Sequence, residues 1–177
     1  MNTSLPAATG RILFVGAGPG NPDLLTLRAR EILADTAIAY VDADVMPGVR
    51  ELVATDVPVP PELLKEAEEE YERMCAAAKA KGSRRKPPRP APPTAADLRE
   101  PIDDPKKMAE LLVEEAAKGS DVVRLVAGNP LTNDSLLAEI NEVSHAEVEF
   151  QIVPGMSVPS TVPAFAGIAL GSTYTET

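Results

Sequence analysis

The sequence predicts an α/β domain, three-layered α/β/α, on a roughly five-stranded parallel sheet. Three observations predict it. Short apolar runs with little polar alternation recur along the chain, as expected of strands buried on both faces. Amphipathic helical patterns fill the gaps between them. Three of the runs end in glycine turns: Gly16-Ala17-Gly18-Pro19-Gly20, Ala127-Gly128-Asn129-Pro130 and Pro154-Gly155-Met156-Ser157.

Taken in order, Arg11 to Val15 is the first predicted strand. Asn21-Pro22-Asp23 then reads as a helix start, with a cap residue, proline at the first position and an acid in the first turn. Leu25, Ala29, Ile32 and Leu33 make its inner face. Ala37 to Val41 is the second strand and ends at Asp42. A weaker third is centred on Leu52-Val53-Ala54. Asp104-Pro105 opens a helix with Met108, Leu111, Leu112 and Ala116 inward and Gly119 as its stop. Asp121 to Val126 is the fourth strand. Asn133-Asp134 starts a helix with Leu136, Leu137, Ile140 and Val143 on one stripe. Val148 to Val153 is the fifth strand. Ser157 to Ala166 is a last, short helix, interrupted by Pro159 and Pro163.

Residues 60–101 stand apart. Pro61 to Ala80 is a charged amphipathic helix with Leu64, Ala67, Tyr71, Met74 and Ala78 at helical spacing. The following Gly82 to Pro93 segment, rich in Pro and Arg, fits neither helix nor central strand, because proline fixes φ and removes a donor. It reads as a flexible, partly polyproline tether on the surface.

The 177 residues suit one domain. Seventeen Lys and Arg against 27 Asp and Glu give a net charge of −10, which argues against a nucleic-acid surface. No run is long and apolar enough to span a bilayer, and Met1 to Gly10 has no signal-peptide pattern. The one cysteine, Cys75, excludes an intramolecular disulfide, so the cytoplasm is the expected compartment. No metal site is expected: the single histidine, His145, has too few companions.

Ligands of parallel sheets lie beyond the carboxyl ends of the strands, and here those ends carry the glycines. Small residues there would let a ligand meet main chain directly. The first turn alone falls one residue short of a dinucleotide fingerprint, with Asn21 where the last glycine belongs. Asp42 follows at the distance of a ribose-binding acid, so a nicotinamide enzyme is an open alternative on these residues.

Four motifs in order narrow the choice. Phe14 to Gly20 with Asp23-Leu24-Leu25-Thr26 and Tyr40-Val41-Asp42, then Val122 to Pro130, then Val153 to Ser157, then Pro163 to Leu170, resemble the tetrapyrrole methylases. The nearest branch is uroporphyrinogen III C-methyltransferase. The resemblance implies a fold of two α/β domains with S-adenosyl-L-methionine bound between them, and carbon methylation of a tetrapyrrole substrate, uroporphyrinogen III, to precorrin-2 on the sirohaem and cobalamin branch. It implies donor contacts at Pro19, Ala127, Gly128, Asn129, Thr132, Ser157 and Val158, and a proton acceptor at Asp42. It implies a homodimer for a full-length protein, while the acidic charge and the lack of a long apolar run point to no nucleic acid and no membrane. On this basis residues 1–170 are the N-terminal domain and 171–177 begin a linker to a second one, so the isolated domain is expected to be inactive.

The sequence departs from the family in three places. Asn129 replaces an acid. Thr132-Asn133-Asp134-Ser135 lacks the arginine of the family's glycine-rich turn. The family's basic segment with its proton-donor lysine has no counterpart. The pattern resembles a branch fused to a uroporphyrinogen III synthase domain, and the alternative is a methylase-like module that has lost turnover and assists such a synthase.

Overall fold

The computed structural model describes residues 10–81, 85–90 and 93–171. The expectations for residues 1–9, for 82–84 and 91–92 of the tether, and for the linker at 172–177 lie outside the described residues.

Five strands form one parallel sheet: β1 (Ile12–Gly16), β2 (Ile38–Val41), β3 (Asp97–Arg99), β4 (Val122–Val126) and β5 (Phe150–Val153), in the order β3-β2-β4-β1-β5. Successive side chains of a strand point to opposite faces. Leu13, Val15, Ala39, Val41, Val123 and Leu125 therefore share one face, which is covered by α1 (Leu27–Asp35) and the chain around α2 (Pro47–Arg50). Ile12, Phe14, Tyr40, Val122 and Val126 share the other, under α4 (Pro105–Ala117) and α5 (Asp134–Ser144). Fully burying a side chain such as Phe14 or Leu13 contributes about 1.5–3 kcal/mol. At the N-terminal edge Arg11 and Asp121 pin β1 to β4: the Arg11 backbone N–H donates to Asp121 Oδ1 at 2.8 Å and its Nη2 to Oδ2 at 2.5 Å. Asp121 is held below its ordinary value: burial pushes it up, and the hydrogen bonds from Arg11 outweigh that.

Local signals were read correctly at several ends. Asp104 caps α4 by accepting from the backbone N–H groups of Lys106 and Lys107, Asn133 caps α5 through Leu136, and Gly119 takes a φ of +93° after α4. The Asn21-Pro22-Asp23 signal opens only a single 3-10 turn, Pro22–Leu24. The α-helix begins after Thr26, whose hydroxyl accepts from the Ala29 N–H.

The expected strand at Leu52-Val53-Ala54 is not one. This run is a buried turn: Ala54 N–H donates to the Leu33 carbonyl at 2.8 Å and Asp56 N–H to that of Ala34 at 3.0 Å, satisfying the free carbonyls at the end of α1. The third strand is β3 instead, inside the stretch 60–101 that the sequence set apart. Its Asp-Leu-Arg sequence carries no apolar signature because it is an edge strand, paired only with β2. Arg99 fixes that edge, donating to Asp97 at 2.6 Å, Tyr40 Oη at 3.1 Å and Glu115 at 2.6 Å, with its guanidinium 5.6 Å from the Tyr40 ring centroid.

Helix α3 (Pro61–Ala80) matches the predicted amphipathic helix, yet none of its residues is buried. Leu64 and Met74 are exposed, while Ala67, Tyr71, Cys75 and Ala78 are half-buried. The tether returns along this stripe. Tyr71 donates to the Pro87 carbonyl at 3.4 Å, and Arg89 lies 5.7 Å from the Tyr71 ring and 3.8 Å from Glu68. The 20-residue helix, about 30 Å long, thus leans on the tether rather than on the sheet. A last helix, α6 (Val158–Phe165), follows β5 with Val162 and Phe165 exposed.

Candidate functional site

β1 and β4 are neighbours whose connections leave to opposite faces of the sheet, which makes their carboxyl ends the switch point where ligands of such sheets bind. The three glycine turns meet there. Gly18 N–H donates to the Gly128 carbonyl at 3.1 Å and Gly128 N–H returns to that of Gly18 at 2.8 Å, with φ of +64° and +67°. A Cβ on Gly16 would stand 2.5 Å from the Gly155 nitrogen and 2.6 Å from the Gly128 oxygen. Gly16 and Gly155 therefore serve close backbone-to-backbone packing. Gly128 differs: a Cβ there would meet only Val158 Cγ2, at 3.6 Å.

This junction gathers the predicted donor contacts on one rim. Pro19 follows the Gly18 pairing, Ala127 and Asn129 flank Gly128, and Ser157 and Val158 begin α6 beside it. Thr132 belongs to the same turn, its hydroxyl donating to the Asn129 carbonyl at 2.9 Å. Ser157 makes no side-chain cap to α6. The Asn129 side-chain oxygen is buried without a hydrogen-bond partner. Among the described residues it is an orphaned acceptor, which costs about 1–3 kcal/mol and fits a hydrogen-bond donor at this rim.

Asp42 lies one strand away at the end of β2, its N–H donating to the Leu125 carbonyl at 3.0 Å. Its loop is clamped by Arg50, which donates to the carbonyls of Val45 at 2.8 Å, Asp42 at 2.8 Å and Ala43 at 3.0 Å. Asp42 Oδ1 accepts from Arg124 Nη1 at 2.6 Å. Arg124 in turn gives Nε and Nη2 to Glu139 at 2.9 and 3.1 Å. Arg124 and Glu139 are buried, at 5% and 1% exposure, and the Asp42 side chain is 20% exposed. Burial disfavours the charge on Arg124, but its hydrogen bonds to Glu139 and the charges of Glu139 and Asp42 prevail and raise it. Burial also pushes Glu139 above the usual carboxylate range, against the pull of Arg124. The two-pronged geometry, Nε and Nη2 to the two carboxylate oxygens, is that of a guanidinium–carboxylate pair.

Asp42 opens on a pocket of about 460 Å³ lined also by Asp44, Arg50, Glu100 and Asp103. Arg50 is spent on carbonyls, so the mouth is acidic. Neither Arg124 nor Glu139 was picked out as a site residue from the sequence. A charged residue at the centre of the apolar run Val122 to Val126 was the available signal, since a buried charge requires a partner. Leu137, expected inward on α5, is 40% exposed, and Glu139 takes an inward place.

Residues 11–177 match the family Tetrapyrrole (Corrin/Porphyrin) Methylases, and the chain belongs to it. It is 34% identical over 163 residues to the siroheme synthase of Pseudomonas aeruginosa (strain UCBPP-PA14), covering 92% of this chain and 28% of that protein. It is 33% identical over 170 residues to that of Pseudomonas fluorescens (strain SBW25), covering 96% and 30%. The chain thus spans less than a third of these relatives. Uroporphyrin-III C-methyltransferase of Thermus thermophilus, solved with S-adenosyl homocysteine, has the same fold, with a TM-score of 0.58 and 24% identity over 91% of this chain and 50% of that one. Cobalt precorrin-4 methyltransferase has a TM-score of 0.63 at 19% identity, covering 94% and 55%. Among the described residues no helix is long and apolar enough to cross a membrane.

Proposed function

We propose that the chain is the donor-binding half of an S-adenosyl-L-methionine-dependent methyltransferase that methylates carbons of uroporphyrinogen III to give precorrin-2. The observation that carries this reading is the switch-point rim, where an unmet buried acceptor, Asn129 Oδ1, stands within the junction of three glycine turns. The family, and the S-adenosyl homocysteine held by the Thermus relative, favour this donor. Pro19, Ala127, Gly128, Asn129, Thr132, Ser157 and Val158 would hold it, with Asn129 accepting one of its N–H or O–H groups.

The donor supplies a methyl group on a sulfonium, whose S–CH₃ bond breaks as the bond to the substrate carbon forms. The protein's part is orientation of the two reactants and removal of a proton. Asp42 is the acceptor: its carboxylate is held by Arg124 and partly open to solvent, and it shares the rim with the donor residues. Asp42 and Glu139 set two carboxyl groups against one guanidinium, a balance that favours a cationic donor nearby. A second domain beyond residue 171 would complete the cleft, and a homodimer and a fused uroporphyrinogen III synthase are part of the same proposal.

One observation favours a second reading, a methylase-like module without turnover that assists a synthase. The mouth beside Asp42 carries Asp44, Glu100 and Asp103, and its arginine is engaged with the backbone. A polycarboxylate substrate is repelled by such a mouth. Calorimetry with S-adenosyl homocysteine, on the 177-residue chain and on one extended by a second methylase domain, tests the proposal. Binding by the extended form is the expected result. No binding in either form refutes the methyltransferase, and binding without methyl transfer to uroporphyrinogen III selects the second reading.

A further inference from the structure

An arginine in the middle of a fully buried strand is costly unless its charge is met. Strand alternation sends Arg124 to the face under α4 and α5, and Glu139 on α5 meets it. Glu139 takes Nε and Nη2 as a fork, at 2.9 and 3.1 Å. A planar guanidinium held at two of its three nitrogens keeps little rotational freedom. The remaining nitrogen, Nη1, is thereby fixed in place; it donates to Asp42 Oδ1 at 2.6 Å and, at 3.5 Å, to the Leu125 carbonyl. Among the described residues, Asp42 Oδ2 accepts no hydrogen bond.

The geometry points to a positioning relay in which Glu139 orients Arg124, and Arg124 fixes the Asp42 carboxylate with Oδ2 left as the oxygen that takes the substrate proton. Arg124 and Glu139 touch no reacting atom; they act through Asp42. The relay rests on the reading of Asp42 as proton acceptor. It also links the base to the donor rim: α5 starts at Asp134, directly after Asn129–Asn133, so the helix that carries Glu139 also anchors the turn with the orphaned acceptor. A buried ion pair with a purely structural role would hold α5 on the sheet and leave turnover per folded molecule unchanged.

Four variants separate these roles in the extended form: Asp42→Asn, Glu139→Gln, Arg124→Lys, and Asp42→Asn combined with Arg124→Lys. Methyl transfer is measured per folded molecule, and donor affinity by calorimetry with S-adenosyl homocysteine. Asp42→Asn loses about 10²–10⁴-fold in kcat. Arg124→Lys keeps the charge but not the fork, and loses at least about thirtyfold in kcat with donor affinity held within about threefold. Glu139→Gln loses kcat in the same sense. The double variant is no slower than Asp42→Asn alone, because Arg124 works only through Asp42. Wild-type turnover per folded molecule in Arg124→Lys and Glu139→Gln, or losses that multiply in the double variant, overturn the relay.

Absence of S-adenosyl homocysteine binding in wild type refutes the methyltransferase instead, and the relay is then judged on the 177-residue chain by NMR. The carboxyl carbon signal of Asp42 and the Arg124 Nε signal shift together in Glu139→Gln and stay in place in Glu142→Gln, an exposed control on the same helix. An Asp42 signal unmoved by Glu139→Gln overturns the relay.

Discussion

Gly16→Ala tests the junction of turns on which the proposed donor rim depends. Gly16 does not occupy the left-handed region, so alanine there meets only a steric problem. Its Cβ would stand 2.5 Å from the Gly155 nitrogen, 2.6 Å from the Gly128 oxygen and 2.7 Å from the Gly155 Cα, whereas ordinary contact begins at 3.4 Å. The deficit is 3.4 − 2.5 = 0.9 Å against main chain on two sides, and neither neighbour has a flexible side chain to move. Overpacking of this kind costs about 1–3 kcal/mol. Displacing the 128 turn also weakens its paired hydrogen bonds with Gly18, each worth about 0.5–1.5 kcal/mol. The total is about 2–6 kcal/mol. At about 2–4 °C per kcal/mol for a chain of this size, Tm falls on the order of 10 °C. Urea unfolding followed by circular dichroism should show a lower midpoint at unchanged slope. A loss below about 1 kcal/mol would mean that the turns are not locked together, and would remove the physical basis of the rim.

Three further outcomes follow from the two charge networks and from the arm. Glu139→Ala leaves a buried guanidinium with one partly exposed partner and costs about 3–5 kcal/mol in urea unfolding; Arg124→Met combined with Glu139→Leu recovers most of it, and equal losses would refute the ion-pair account. Glu115 is held below the ordinary carboxylate value by its hydrogen bonds from Lys118 and Arg99. Its contribution is therefore complete above the unfolded carboxylate value, about pH 4.3, and is lost as pH falls through the lower folded value. Wild type should lose stability more steeply than Glu115→Gln on acidification below about pH 4.5, and parallel curves would refute this. Replacing residues 61–90 by a short Gly/Ser linker should cost less than about 1 kcal/mol, since no residue of α3 is buried; a loss above about 2 kcal/mol by thermal unfolding would show that the arm supports the sheet.

How much of this was readable in the chain follows from the range of each interaction. Pro61 and Ala80 bound α3 as predicted, and Asp104 and Asn133 cap their helices as predicted, because these signals act within one or two helical turns. The apolar runs of β1, β2 and β4 announced strands buried on both faces, whereas that of β5 belongs to an edge strand with Gln151 exposed. The run at residues 52–54 misled because a short apolar segment reads the same whether it pairs in a sheet or closes the end of a helix. β3 was silent because an exposed edge strand needs only backbone pairing.

The amino-acid sequence by itself determined the α/β class and most of the elements, and put the glycine turns at strand ends. The order β3-β2-β4-β1-β5, the packing of Gly16, Gly128 and Gly155 against one another, and the assembly of Asp42, Arg124 and Glu139 belonged to the tertiary structure. Arg124 is 82 residues from Asp42 and 15 from Glu139, a separation that no local pattern encodes. Apolar periodicity says which face is buried, whereas a buried charge finds its partner only when strands and helices from distant parts of the chain are laid side by side.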